Sequence, residues 1–180
     1  MSNELDKIEK QLTTGRNYAE PPLHLWHPEL SGDIDIRITA GGSWYHEGSE
    51  IVRESIVRLF ASILRREDDG EYYLVTPGEK WRLQVELHPL MVTDVNWLDN
   101  AEESAQRVLC VTLNTGKTVN IDEQHPIFLE PAKDNIAAVR LPHGLAALFS
   151  RNAWYHLIDM AEQRHDHTVV VSGGHSYILG

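Results

Sequence analysis

The sequence predicts an α+β protein made of two related ββαββ units packed into one compact protein. Three observations carry that prediction. Apolar and polar residues alternate with a period of two on either side of glycine turns. Two long segments show the three-and-four apolar spacing of an amphipathic helix. The order hairpin, helix, polar turn, hairpin occurs twice. Residues 42–83 hold the clearer set: an aromatic strand, a strong helix, an acidic turn, and a strand pair joined at Thr76-Pro77-Gly78-Glu79.

In chain order, Leu5, Ile8 and Leu12 form one stripe of a short docking helix, with Ser2 or Asn3 as its N-cap. Residues 13–30 contain three prolines without sustained period but carry Leu23, Leu25 and Trp26, so they are expected to wrap over the body of the protein. Asp33 to Thr39 alternates with three isoleucines on one face, Ala40-Gly41-Gly42 turns the chain, and Ser43 to His46 returns. Gly48-Ser49 is expected to break the strand and cap a helix bearing Val52, Ile56, Leu59, Phe60, Ile63 and Leu64 inward. Arg65-Arg66 falls at the negative pole of that helix. Tyr72 to Thr76 is a strand, Pro77-Gly78 a turn with positive φ at the glycine, and Trp81, Leu83, Val85 and Leu87 alternate.

After Pro89 a further strand covers Met91 to Trp97. The acidic stretch Leu98 to Gln106 is the expected boundary, giving an N-terminal helix and wrapping segment over 1–30, a first unit over 31–98 and a second over 99–180. Strands over 107–114 and 117–121 flank Thr115-Gly116. Residues 122–149 read as mixed, because Pro126, Pro131 and Pro142 forbid a long helix. Ser150 caps a second helix to about Gln163, with Ala153, Trp154, Leu157, Ile158 and Ala161 inward. A loop follows to His167, and Gly173-Gly174 joins a last hairpin. Aligning the halves sets Arg37–Gly41 against Thr112–Gly116, Arg53–Leu59 against Arg151–Leu157, and Tyr73–Thr76 against Val169–Ser172.

The 180 residues include 16 basic and 27 acidic side chains, a net charge of −11 that repels phosphate backbones and anionic membranes. Nucleic-acid and membrane partners are therefore not expected. The local basic patch of Arg53, Arg58, Arg65 and Arg66 could bind a small anion, but reads first as a solvated helix face. Cys110, the sole cysteine, reads as a small hydrophobe in a buried strand. No apolar run approaches the ~20 residues of a membrane span. The charged amphipathic start lacks the pattern of a signal peptide, so a cytoplasmic setting is expected.

Three motifs carry a resemblance: Trp44-x-His46-x-Gly48, Arg53 with Leu59-Phe60-x-x-Ile63-Leu64, and Leu74-Val75-Thr76-Pro77-x-Glu79-Lys80. With them the chain, from about Pro21 to Gly180, resembles a bacterial family known as domain of unknown function 1285. The resemblance implies an α+β protein of repeated motifs with a role in signalling or ligand sensing, and transfers no catalytic residue. Glu50 stands where the family usually has proline.

No Walker-type or dinucleotide-binding glycine loop and no nucleophile elbow occurs. Asp68, Asp69 and Glu71 read as water-facing turn carboxylates rather than an acid/base pair. His24 with His27, and His165, Asp166 and His167 with His175, make weak metal sets lacking a further ligand. No metal and no cofactor is expected. The better candidate is a ligand-binding set of Trp44, His46, Arg53, Thr76, Glu79 and Lys80, which offers stacking, charge and hydrogen bonds to a small polar or anionic ligand. The function expected is a non-catalytic small-ligand-binding or regulatory module without enzyme activity. The alternatives are a scaffold that meets a protein partner or itself through sheet edges, and a small-molecule enzyme using His46 with Glu79 or Arg53; His143 is a second candidate for proton transfer.

Overall fold

A computed structural model describes residues 5–8, 10, 20–98 and 107–180. The chain divides into two compact units, Met1–Leu87 and His88–Gly180. The expected boundary at 98/99 thus moves upstream. The reason is pairing: the strand before residue 98 hydrogen-bonds to strands of the second half, and the break falls at the Leu87-His88 step. Most of the polar connection over 98–106 lies outside the described residues.

In the first unit, residues 5–8 and 10 are helical and Ile8 is buried; Leu12 lies outside the described residues. A 3-10 turn at Leu23–Leu25 buries Leu23, while Leu25 is exposed. Then come β1 (Leu30–Ile38), β2 (Trp44–His46), β3 (Ser49–Glu50), α1 (Glu54–Ser62), β4 (Leu64–Arg66), β5 (Tyr72–Val75) and β6 (Lys80–Val85). The sheet order is β3-β2-β1-β6-β5-β4, with β1 and β6 parallel and every other pair antiparallel. The three isoleucines of β1 are buried, as their alternation predicts.

The helix is shorter than expected. Glu47 and Gly48 both take positive φ and make a hairpin turn, so Ser49 pairs with His46 in β3 instead of capping α1. Val52 is consequently exposed, and Arg65-Arg66 lies in β4 rather than a last helical turn. Gly78 does not adopt positive φ; the Thr76 hydroxyl accepts from the Glu79 N–H and closes that turn.

The second unit holds β7 (Leu90–Trp97), β8 (Leu109–Leu113), β9 (Thr118–Asn120), β10 (Ile127–Glu130), β11 (Ile136–Arg140), β12 (Ala146–Phe149), α2 (Arg151–Met160), β13 (Glu162–Arg164), β14 (His167–Ser172) and β15 (His175–Ile178). Its six-stranded sheet runs β10-β11-β12-β7-β8-β9, with β7 and β12 parallel and the rest antiparallel. Counted from the first strand of each unit, both sheets have the order 3-2-1-6-5-4 with a parallel centre. The duplication is real, but each half is not ββαββ. Three strands precede and three follow the edge-to-edge link, and α1 occupies that link in the first unit only.

The residue pairings change accordingly. Tyr73–Thr76 corresponds to β11, not to β14, and α1 has no counterpart in α2, which follows the sixth strand. The Arg37–Gly41 turn ends a first strand, whereas Thr112–Gly116 joins a second to a third. In the second unit six residues link β9 to β10 across the sheet. A flat sheet would need about 24 Å for five strand spacings, the full reach of an extended link at about 3.5 Å per residue. Asp122, however, turns this link by accepting from the Gln124 and His125 N–H groups. The sheet therefore curls, bringing its edges toward each other.

The prolines of 122–149 punctuate strands that the sequence left as mixed: Pro126 precedes β10, Pro131 opens a 3-10 turn, and Pro142 starts the β11–β12 turn. Cys110 sits on the half-exposed face of β8 rather than in the core. Ser150 caps α2 as expected, accepting from the Ala153 N–H, and α2 packs on β7 and β12. The helix ends at Met160, because Glu162 starts a strand that pairs with β14. Gly173 and Gly174, both at positive φ, make the last hairpin.

Ser172 joins the three-stranded sheet β13-β14-β15 to the six-stranded one. Its fully buried hydroxyl donates to the Ile121 carbonyl at 2.6 Å and accepts from the Leu109 N–H at 2.8 Å. Ser172→Ala strands both backbone groups, and each unpartnered buried group costs about 1–3 kcal/mol. Denaturant unfolding is expected to show a loss of that order, while a surface control, Ser176→Ala, stays near wild type.

Candidate functional site

On the first sheet, β4, β5, β6 and β1 bring one residue each into a cross-strand row, Arg65–Tyr73–Arg82–Asp33. Period-two alternation places this row opposite the buried Leu64, Leu74 and Leu83. Glu67 follows β4 and Lys80 opens β6, on the same face as Arg65 and Arg82. The Lys80 ammonium donates to Glu67 Oε2 at 3.0 Å and lies 4.8 Å from the centre of the Tyr73 ring. Arg65 Nη2 donates to Glu67 Oε1.

Arg65 also fastens the N-terminal segment. Its Nη1 donates to the carbonyls of Leu23 and Trp26 at 3.1 and 2.9 Å, while its buried Nε has no hydrogen-bond partner. One guanidinium thus holds two carbonyls of this segment. Arg65, Lys80 and Glu67 keep only 13%, 17% and 25% of their side-chain surface exposed, so the attraction among them is screened less than at an open surface. Arg82 and Asp33, joined by two hydrogen bonds, are more open, which limits what their pairing contributes.

Burial pushes the Glu67 carboxyl up, but the hydrogen bonds from Lys80 and Arg65 outweigh it and hold the group below its usual range. The Tyr73 hydroxyl donates to Asp69 Oδ2 at 2.6 Å, and Asp69 Oδ1 accepts from the Glu71 N–H. Chiefly through that phenol bond, the Asp69 carboxyl is lowered and the Tyr73 phenol is raised to about 12. These carboxylates stand around two half-buried cations, an arrangement suited to holding charge and hydrogen bonds and lacking an activated nucleophile.

The expected site set divides. Thr76, Glu79 and Lys80 come together: Thr76 fixes the turn, Glu79 accepts from the Trp81 indole N–H at 3.3 Å, and Lys80 enters the cluster. Trp44 does not, because it is 1% exposed and packed against Phe60 with ring centres 6.4 Å apart, leaving no face for a ligand. Its indole N–H is buried without a partner. Arg53 is exposed and supplies α1 with its backbone carbonyl rather than its guanidinium. No hydrogen bond or ion pair links Arg53 or His46 to the cluster among the described residues. His167 and His175 lie at opposite ends of β14, since His175 pairs with Ser172. Among the described residues no three His, Cys, Asp or Glu side chains gather as metal ligands, and no helix is long and apolar enough to cross a membrane.

Sequence reasoning missed Glu67 and Tyr73, and set Arg65 aside as part of a solvated helix face and Asp69 as a water-facing turn carboxylate. Alternation on β5 and β6 could have placed Tyr73, Lys80 and Arg82 on one face. The register that adds Arg65 depends on where α1 ends.

The Tyr73–Asp69 pair has a defined pH signature. A phenol raised by folding contributes stability that is present below its unfolded value of about 10 and is lost as pH rises through about 12. Burial also raises Tyr72 and Tyr177, so ultraviolet titration of tyrosinate is expected to show several late-ionising groups, of which Tyr73→Phe removes one and Asp69→Asn shifts that same one toward lower pH.

Comparison with known proteins bears on the whole chain. Residues 21–87 match the model described as "Domain of unknown function (DUF1285), N-terminal domain", and residues 89–179 match "Protein of unknown function (DUF1285), C-terminal domain". A DUF1285 family protein from Silicibacter pomeroyi DSS-3 is similar at 34% identity with a TM-score of 0.84, over 96% of this chain and 93% of that one. Another, from Shewanella baltica OS155, has 31% identity and a TM-score of 0.57, over 70% of this chain and 91% of that one. No curated protein matches. The two matched regions meet where the strand pairing breaks, and the chain belongs to the DUF1285 family.

Proposed function

We propose that this protein is a non-catalytic small-ligand-binding module with a regulatory role, and that its ligand is a small anion held at the Arg65–Glu67–Lys80 cluster. One observation carries the reading: in a protein of net charge −11, two half-buried cations share a single carboxylate, and a buried Arg65 N–H is unpartnered. An anion there offsets the remaining positive charge and supplies acceptors to Lys80 and Arg65. Occupancy would also report to the N-terminal segment, because the same guanidinium holds the Leu23 and Trp26 carbonyls. A cytoplasmic setting belongs to this reading.

The geometry favours binding over the two alternatives. The sheet-edge strands β3, β4, β9, β10, β13 and β15 are two to four residues long, which gives an edge-to-edge partner little backbone to pair with. His46 has no carboxylate to orient it among the described residues, which an acid/base role requires. The finer repeat fits the same reading: we take each half as one six-stranded motif, duplicated, with α1 inserted in the first.

Thermal unfolding against organic acids, nucleotides, cyclic dinucleotides and amino acids tests this. A ligand selective for the folded state adds about 2.7 kcal/mol at a hundredfold excess over Kd. A saturable rise in Tm with one anion class is expected, lost in Lys80→Met and retained in Arg53→Ala. No shift with any anion, or a shift undiminished in Lys80→Met, overturns the assignment.

A further inference from the structure

Leu30 is out of place on its strand. Counted by twos from Ile34, Ile36 and Ile38 it belongs on the buried face of β1, yet it is 51% exposed. The cause is a slip in the pairing with β6, where Leu30 stands opposite Lys80 and Gly32 opposite Trp81, leaving Ser31 as one extra residue. Such a bulge turns the residues before it to the other face. Leu30 is thereby re-aimed to the ionic face, in register with Lys80 and about one strand spacing, ~4.8 Å, away from it. Gly32 permits the bulge, because its φ of +147° is one that side chains rarely adopt and a Cβ there would stand 3.3 Å from the Trp81 ring. The Ser31 hydroxyl accepts from the Lys80 N–H at 3.1 Å.

The topology does not require this slip. In the second unit the corresponding pair, β7 with β12, runs from Leu90–Ala147 to Val92–Phe149 without one, and bulges between parallel strands are rare. Leu25 is a second case. It is 66% exposed and lies in the turn whose Leu23 and Trp26 carbonyls Arg65 holds. Among the described residues of the first unit the exposed large apolar side chains are Leu25, Leu30 and Val52. Two of these three therefore sit on backbone that Arg65 holds or that pairs with Lys80. The second unit differs. Its largely buried carboxylate, Glu130, has Oε2 2.6 Å from His88 Nε2, and neither Tyr155 nor Ile178, the exposed apolar residues described there, lies on β10 or on β11, which pairs with it.

Resting on the anion site proposed above, we infer that its ligand is amphiphilic: an alkyl carboxylate whose head meets Lys80 and Arg65 and whose chain lies on Leu30 and Leu25. The head is served by donors already in place. Among the described residues Lys80 gives one of its three N–H groups to Glu67, and Arg65 Nη2 gives one of its two to the same carboxylate. Both cations therefore keep a donor for an oxygen brought to them. The chain explains what the head does not, namely why a leucine is turned out of the core beside a lysine. An alkyl chain on Leu30 removes apolar surface from water on both sides and keeps water from the ion pair next to it. The net charge of −11 opposes an anionic bilayer, so the amphiphile is taken as a single molecule.

Calorimetry on the full-length protein with acetate, octanoate and 1-octanol tests the inference, since acetate shares the head and octanol the chain. The added methylenes, partly covered on an open face, are expected to make octanoate bind at least about tenfold more tightly than acetate. Octanol, which lacks the charge, is expected to bind at least about tenfold more weakly than octanoate. Leu30→Ser, at a position half in water, should bring octanoate down toward the affinity of acetate, and Lys80→Met should bring it down toward that of octanol. Val52→Ser, beyond β3, should leave octanoate binding unchanged. Equal affinity for acetate and octanoate, or octanoate binding undiminished in Leu30→Ser, overturns the inference and leaves the anion site standing. A rise in Tm with other anions and none with octanoate does the same. Octanoate and octanol bound alike, and undiminished in Lys80→Met, put the apolar contact elsewhere and overturn it, while no binding of any anion overturns the site and its ligand together.

Discussion

The parallel pairing of the first and last strand at the centre of each sheet, β1 with β6 and β7 with β12, is the constraint on which the rest of each unit depends. Hairpins on either side then place the third and fourth strands at opposite edges, although they are consecutive in the chain. The link between them must cross the sheet, and the two units meet that demand differently. The first inserts α1, whose Phe60 covers Trp44. The second uses a six-residue turn and a curled sheet, then adds a helix after the last strand. A parallel pair needs a long connection, and here nearly the whole unit is that connection.

Burial follows from the way each sheet is covered. In the second unit α2 lies on β7 and β12, and β12 is buried on every residue, Ala146 to Phe149. Its counterpart in the first unit, β6, buries only Leu83, and carries Lys80 and Arg82 on the other face. The same position in one topology is apolar in the second unit, where α2 packs on it, and ionic in the first. Once Lys80 and Arg82 face outward beside Tyr73, charges on neighbouring strands must answer them. Glu67, Asp69 and Asp33 do so.

Short-range rules made much of this legible. The isoleucines of β1, the strand after Pro89, the Ser150 cap and the Gly173-Gly174 hairpin depend on local periodicity or φ, and they stand where the sequence places them. Failures cluster where one residue had two local uses. Gly48-Ser49 reads equally as a helix cap and as a hairpin turn, and pairing of Ser49 with His46 decided for the hairpin. Pro126, Pro131 and Pro142 read as disruption when they bound strands. Trp44 reads as a stacking surface for a ligand, but Phe60 packs against it and it is buried, a contact no local pattern reveals. The candidate site was half visible, since Thr76, Glu79 and Lys80 lie on one turn. Arg65 joins them only through a register fixed by the end of α1.

The duplication gives the two clusters a common geometry. In both units the fourth strand is a sheet edge, and in both a carboxylate stands at its end, Glu67 just after β4 and Glu130 as the last residue of β10. An edge strand's end has fewer neighbours than a central position, so a charge there keeps partial access to water while its partners come from the flanking segments. Glu67 receives two cations, and burial is offset by both. Glu130 receives one imidazole and a backbone N–H, leaving a buried ring nitrogen unsatisfied. The first arrangement sets two cations on one carboxylate; the second sets an imidazole and a backbone N–H on one. Equivalent positions in one duplicated sheet thus differ in chemistry through the partners supplied from outside the strand, Lys80 and Arg65 in one unit and His88 in the other.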